Sequence, residues 1–290
     1  MVKSNYLLIN GKFVDENHSA ELLKNRGFLF GDGFFESMHW LGSGSSSSSK
    51  KGRILFVEDH LERINNAFQI LKLDQSDFHF NQLLIEAEQL ILKNNITGDA
   101  RIRMTFYRIS EGNYTPANNN NGYMFSASPL AINGFSLNET GLTIGLYHEQ
   151  TKSRSSISNI KTLNSLVYVL AGIFAREQQW DDVLIFNDAG NIIEAHTSNL
   201  FIAKDNILIT PPLSDGCVDG VMRKQIIKLA KENGINVIEQ SLNVKDIEKA
   251  DELFISNAVN GIRWVEHCAN NKFKKVFAEH LFSFLKKEVS

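Results

Sequence analysis

The sequence predicts an α+β chain of two domains, residues 1–132 and 133–290. Three observations carry that expectation. The chain has 290 residues of which 43% are hydrophobic, enough for two ordinary cores. Its first part switches between strict alternation and helical spacing, the mark of mixed helices and strands. Its second part carries many short strand-like runs separated by turn residues, the mark of a compact barrel-like β domain covered by external helices.

Residues 6–14 read as two short strands around Asn10-Gly11, because Asn-Gly supplies the positive φ angles of a tight hairpin. Residues 34–40 and 54–57 read as a second strand pair, joined by the serine-rich stretch 43–49, which cannot bury apolar surface and is expected to be a loop. Leu61, Ile64, Ala67, Phe68 and Leu71 recur at helical spacing and predict a helix over 60–71, with another over 81–93. Residues 101–107 and 122–127 alternate as strands. In the second part, 142–147 reads as a strand and 163–179 as a long helix. Short strands then follow at 183–186, 192–195, 199–203 and 207–210, with helices at 220–233 and 276–287 outside them.

Composition narrows the function. With 30 basic and 33 acidic residues the net charge is -3, so no positive excess exists to neutralise a phosphate backbone or an anionic membrane. Cys217 and Cys268 are the only cysteines, too few and too far apart for a zinc site or a disulfide framework. The N-terminal residues lack a signal-peptide pattern, and no apolar run reaches the ~20 residues that span a bilayer. A soluble cytoplasmic protein without a metal site is expected, with a small molecule as its partner.

Four segments could carry chemistry. Lys161 precedes the apolar run 166–171, where loss of hydration would free its amine for Schiff-base formation. Glu194 ends the run Ile192-Ile193-Glu194, and a fixed buried carboxylate there could hold a proton on a cofactor ring nitrogen. Residues 216–223 combine glycines with a helix start, whose free amides attract anions such as phosphate. Arg63, sharing a helix face with His60, could give phosphate a forked and permanently charged contact. Each segment also has a bland reading: a solvated lysine, a polar strand face, an ordinary capped loop and a surface arginine.

Taken in order, these segments resemble the class IV aminotransferases, the fold type IV pyridoxal-phosphate enzymes. The resemblance rests on Arg26-Gly27 with 30–36, on His60-Leu61-Glu62-Arg63, on Lys161 within Ile-Lys-Thr-Leu-Asn, on Glu194 with 198–201, on 220–223 and on 251–258. It implies a two-layer α/β N-terminal domain, a C-terminal pseudo-barrel domain carrying the cofactor lysine, pyridoxal 5'-phosphate as cofactor, and a homodimer. Position by position, it implies Lys161 as the Schiff-base lysine and Glu194 as partner of the pyridine nitrogen. Arg63, the amides of Val221 and Met222, and Ser256 with Asn257 match the phosphate contacts. Phe35 matches an aromatic residue on the substrate side, and Arg108 an arginine that meets a substrate carboxylate.

Three activities share this framework: branched-chain aminotransferase, D-amino-acid aminotransferase and 4-amino-4-deoxychorismate lyase. The lysine is followed by Thr162-Leu163-Asn164 rather than a glycine-rich turn, which argues against the branched-chain type. Ser256-Asn257, continued by 261–265, is most similar to the lyases, which release 4-aminobenzoate and pyruvate and serve folate biosynthesis. Ile109 departs from the Arg-Gly pair common in both groups. The lyase is the first expectation and an amino-acid aminotransferase the alternative. A cofactor-binding interaction protein without turnover is the non-enzymatic alternative, because a fold alone does not establish activity.

Overall fold

A computed structural model describes residues 5–16, 25–42, 52–76, 79–131 and 133–289. The serine-rich stretch 43–49 and the expected boundary residue Ile132 lie outside the described residues. Contacts divide the chain into two compact units. One is Met1–Gly134 with Ile160–Asn164, and the other is Phe135–Asn159 with Ser165–Ser290.

The first unit is built on a six-stranded sheet in the order β2-β1-β6-β5-β3-β4. β1 (Tyr6–Ile9) and β2 (Lys12–Asp15) form the hairpin that Asn10-Gly11 predicts, with φ of 46° and 78° at its turn. β3 (Gly33–Leu41), β4 (Arg53–Ile54), β5 (Ala100–Arg108) and β6 (Asn121–Pro129) complete the sheet, and every pairing is antiparallel. α1 (Arg26–Phe30) is a five-residue helix that periodicity cannot reveal. It is set by local chemistry, since the Asn25 side chain accepts from the Phe28 amide and Gly31 closes the helix at φ 64°. α2 (Val57–Ile70) and α3 (Phe80–Lys93) bury Ile64, Phe68, Leu83 and Leu90 against Phe34, Met38, Ile102 and Phe106 on one face of the sheet. Val57, expected at a strand end, begins α2 instead. Phe56 before it is left-handed at φ 53°, and Glu58 and Asp59 follow where the helix dipole favours negative charge.

In the second unit six strands close on themselves. They are β7 (Leu142–Lys152), β8 (Asp182–Asn187), β9 (Ile192–Ala195), β10 (Asn199–Lys204), β13 (Glu252–Asn257) and β14 (Gly261–Cys268). Pairing runs β10-β13-β14-β7-β8-β9, and the Asn199↔Glu194 register returns the ring to β10. Leu142, Leu184, Ile192, Leu200, Leu253 and Val265, one from each ring strand, join a single buried cluster. β11 (Ile207–Thr210) and β12 (Asn236–Glu239) extend the sheet beyond β10, and β15 (Asn271–Lys272) flanks β14.

α4 (Leu166–Glu177) covers a separate cluster that includes Tyr147, Ala171, Val183, Ile185 and Ile193. α5 (Val221–Glu232), α6 (Val244–Glu248) and α7 (Val276–Val289) complete the unit. α4 starts three residues later than periodicity predicts. Thr162 forms a bridge with Phe34, and the Leu163 amide donates to Gly33 O at 3.0 Å, so backbone pairing overrides helical spacing there. The lysine segment, expected in the second domain, is thereby grouped with the first unit. Among the described residues, no helix is long and apolar enough to cross a membrane and no cluster of ligating side chains suits a metal.

Candidate active site

In the first unit the Phe35 amide donates to Lys161 O at 2.9 Å, which ties the lysine segment to β3. The Lys161 amine stands 4.7 Å from the centre of the Phe35 ring. The guanidinium carbon of Arg103 stands 3.7 Å from the same ring. The Lys161 amine and the Arg103 guanidinium thus lie against the same aromatic ring. Burial, and then the charge of Arg101, lowers the Arg103 pKa to about 10.

Strand alternation decides which arginine of β5 reaches this ring. Phe35 pairs with Thr105 and Ser37 with Arg103, so Arg103 shares the Phe35 face. Arg108 has the opposite parity. Its guanidinium donates to the Asp32 carboxylate, to the carbonyls of Leu71 (2.8 Å) and Lys72 (3.2 Å), and to Asn119 Oδ1 (2.6 Å). Arg108, expected at a substrate carboxylate, is instead a buried side chain engaged by these partners.

Glu36 also has the parity opposite to Phe35, and it is almost fully buried. Arg63 approaches it through Nε and Nη2, both at 2.6 Å, and His60 Nδ1 lies 2.8 Å from Oε2. Burial alone would raise the Glu36 pKa. Arg63 and His60 outweigh that penalty and lower it to about 2. The forked pairing fixes the plane of Arg63, the residue expected at the phosphate.

In the second unit Glu194 is 3% exposed. Its Oε1 accepts from Lys152 Nζ at 2.8 Å and from the Tyr168 hydroxyl at 2.7 Å, and its Oε2 accepts from the Val218 amide at 2.9 Å. An ionised carboxylate offers about four acceptor positions, so one remains on Oε2. Asn199 pairs with Glu194 on one side and with Ser256 on the other, which sets the three side chains in a row on one face of β9, β10 and β13. The Ser256 hydroxyl is buried and has no partner among the described residues. Asn199 Nδ2 donates to Val218 O at 2.8 Å, and a Cβ at Gly220 would overlap Asn199 Oδ1. This glycine therefore allows the start of α5 to lie against β10. The N-cap of α5 is Gly220, which makes no side-chain capping bond, and the amides of Val221 and Met222 stand at the positive end of the helix. Asn257 is engaged in its own turn, accepting from the amides of Val259 and Asn260 and donating to Ser198 Oγ.

The model of the amino-transferase class IV family matches residues 33–268. The chain belongs to this family. A provisionally assigned branched-chain-amino-acid aminotransferase of Methanocaldococcus jannaschii is 29% identical over 259 residues, covering 86% of this chain and 83% of the other. The branched-chain aminotransferase of Thermoproteus uzoniensis superposes with a TM-score of 0.86 at 21% identity, covering 99% and 95% of the two chains. A Legionella pneumophila protein provisionally described as 4-amino-4-deoxychorismate lyase superposes at 0.78 and 24% identity, covering 92% and 94%. At these identities the two superpositions establish the fold.

As a member of the class IV aminotransferase family the protein is an enzyme that uses pyridoxal 5'-phosphate. The residues present fit that group. Glu194 retains one acceptor position for a ring N–H, and the Ser256 hydroxyl, unpartnered among the described residues, and the glycine-capped start of α5 suit an anion. The sequence singles out Lys161, Glu194, Arg63, Val221, Met222, Ser256, Asn257, Phe35 and Arg108. It does not mark Arg103, whose face is set by the β3–β5 register, nor Lys152, which follows a register shift in β7.

Proposed function

We propose that the protein is a 4-amino-4-deoxychorismate lyase, converting its substrate to 4-aminobenzoate and pyruvate. The observation that carries a cofactor-dependent reaction is the row Glu194-Asn199-Ser256, with a buried carboxylate at one end and a hydroxyl unpartnered among the described residues at the other. Pyridoxal phosphate supplies a ring that accepts electron density from the substrate Cα. Glu194 holds the proton on the ring nitrogen, while Arg63, the Val221 and Met222 amides, and Ser256 with the adjoining Asn257 turn bind the phosphate. Lys161 anchors the cofactor and moves the Cα proton as general base. Arg103 binds a substrate carboxylate against the Phe35 ring.

The lyase reading is supported by Thr162-Leu163-Asn164 after the lysine and by Ser256-Asn257 followed by 261–265. A second reading, an amino-acid aminotransferase, is favoured by the name of the Methanocaldococcus relative. The same residues serve both, so stoichiometry decides. With aminodeoxychorismate and no keto-acid acceptor, the lyase releases equal amounts of 4-aminobenzoate and pyruvate over many turnovers. An aminotransferase given D-alanine, glutamate or a branched-chain amino acid converts its bound cofactor once and stops, and that result without 4-aminobenzoate would replace the lyase. A cytoplasmic homodimer belongs to this proposal through the family resemblance, and sedimentation tests its assembly.

A further inference from the structure

Glu194 is buried, and its carboxylate is paired with the Lys152 amine. A buried ion demands compensation, and Lys152 supplies it at 2.8 Å, itself pinned 5.3 Å from the centre of the Tyr168 ring. The Tyr168 hydroxyl shares the same carboxylate oxygen. This crowding goes beyond what a ring-nitrogen partner requires, because a lone carboxylate would hold a ring proton more strongly than one shared with an ammonium group.

We infer that Lys152 is a positioning and tuning residue: it fixes Glu194 and shares its charge, so that the cofactor ring nitrogen holds its proton less tightly than Glu194 alone would dictate. The inference rests on Glu194 being the partner of that nitrogen. The titratable groups around Glu194 come from three elements: Lys152 on β7, Tyr168 on α4 and Cys217 in the loop before α5. Tyr168 stays protonated, its pKa raised by burial and then by Glu194. The Cys217 thiol is pushed up to about 12, again by burial first and Glu194 next, so it too remains neutral. Lys152 is therefore the cation of this group whose removal changes the charge beside Glu194.

The experiment loads the full-length protein with pyridoxal phosphate labelled with nitrogen-15 in the ring and follows the nitrogen chemical shift against pH. Lys152→Met is expected to raise the pH at which the ring nitrogen loses its proton by about one unit or more, a tenfold change in proton affinity. Lys152→Arg keeps the charge and is expected to leave the titration near that of the parent. If the methionine variant does not fold by circular dichroism, Lys152→Gln, which keeps a donor without the charge, is held to the same criterion. An unchanged titration in the neutral variant overturns the inference, provided that Glu194→Gln in parallel lowers the nitrogen's proton affinity. If Glu194→Gln has no effect either, the assignment of Glu194 falls, and the role of Lys152 falls with it.

Discussion

At the scale of single residues, the Glu36 cluster makes a prediction about acid. Its folded pKa is lowered from 4.5 to about 2, so its contribution is present above the unfolded value and is lost as pH falls from about 4.5 through about 2. The shift corresponds to stability on the order of 3 kcal/mol. Glu36→Gln should flatten the acid limb of a denaturant-midpoint profile in that window, and an unaltered profile would remove Glu36 from the ledger. The proposed role of Arg103 and the buried bonds of Arg108 make opposite predictions. Arg103→Met should raise KM for a carboxylate substrate while barely moving Tm. Arg108→Met should do the reverse, because buried acceptors left unpaired cost about 1–3 kcal/mol each. Strand parity distinguishes the two arginines, yet it becomes usable only when the register with Phe35 is known. Lys161 and Glu194 stand out earlier because flanking motifs mark them, whereas Glu36 looks like one more polar residue in a strand until His60 and Arg63 are placed around it.

Elements position these groups through contacts that short patterns only partly announce. The start of α5 is visible from Gly216 and Gly220 ahead of a helical run, but the reason for Gly220 is tertiary: its missing Cβ leaves room for Asn199. Its φ of -75° would suit any residue, so the constraint is one of space and not of backbone strain. Gly220→Ala should displace Asn199, break its bond to Val218 O and move the helix start. Loss of a hydrogen bond worth about 0.5–1.5 kcal/mol implies cofactor affinity weaker by up to roughly tenfold. Titration of the apo-protein with pyridoxal phosphate and with pyridoxal measures this, and the phosphate-bearing ligand should suffer more. Equal losses for both ligands would argue against a phosphate at α5. α1 escapes sequence reading for a different reason. Five residues span little more than one helical turn, so capping by Asn25 and Gly31 defines it where periodicity cannot.

For the whole molecule, the alternating patterns separate a mixed α/β part from a strand-rich part, but contiguous domains cannot describe how the chain is shared. The second unit's chain gives up Ile160–Asn164 to the first unit and resumes at Ser165. Ile160 enters the first unit's core, Phe35 and Leu163 exchange backbone bonds with Lys161 and Gly33, and Asn164 Nδ2 donates to Gly31 O. Local opening of this segment should therefore follow the first unit's stability even though its sequence neighbours belong to the second. Phe68 is fully buried in the first unit against Phe34 and Phe106, and Phe68→Ala should cost about 3–5 kcal/mol. Native-state hydrogen exchange of this variant should show faster exchange at the Phe35 and Leu163 amides together. The Gln178 amide, bonded to Phe174 O in α4, should keep its protection. Leu163 exchanging in step with Gln178, or all three amides shifting equally, would mean that the lysine segment opens with the second unit or that the whole chain opens as one.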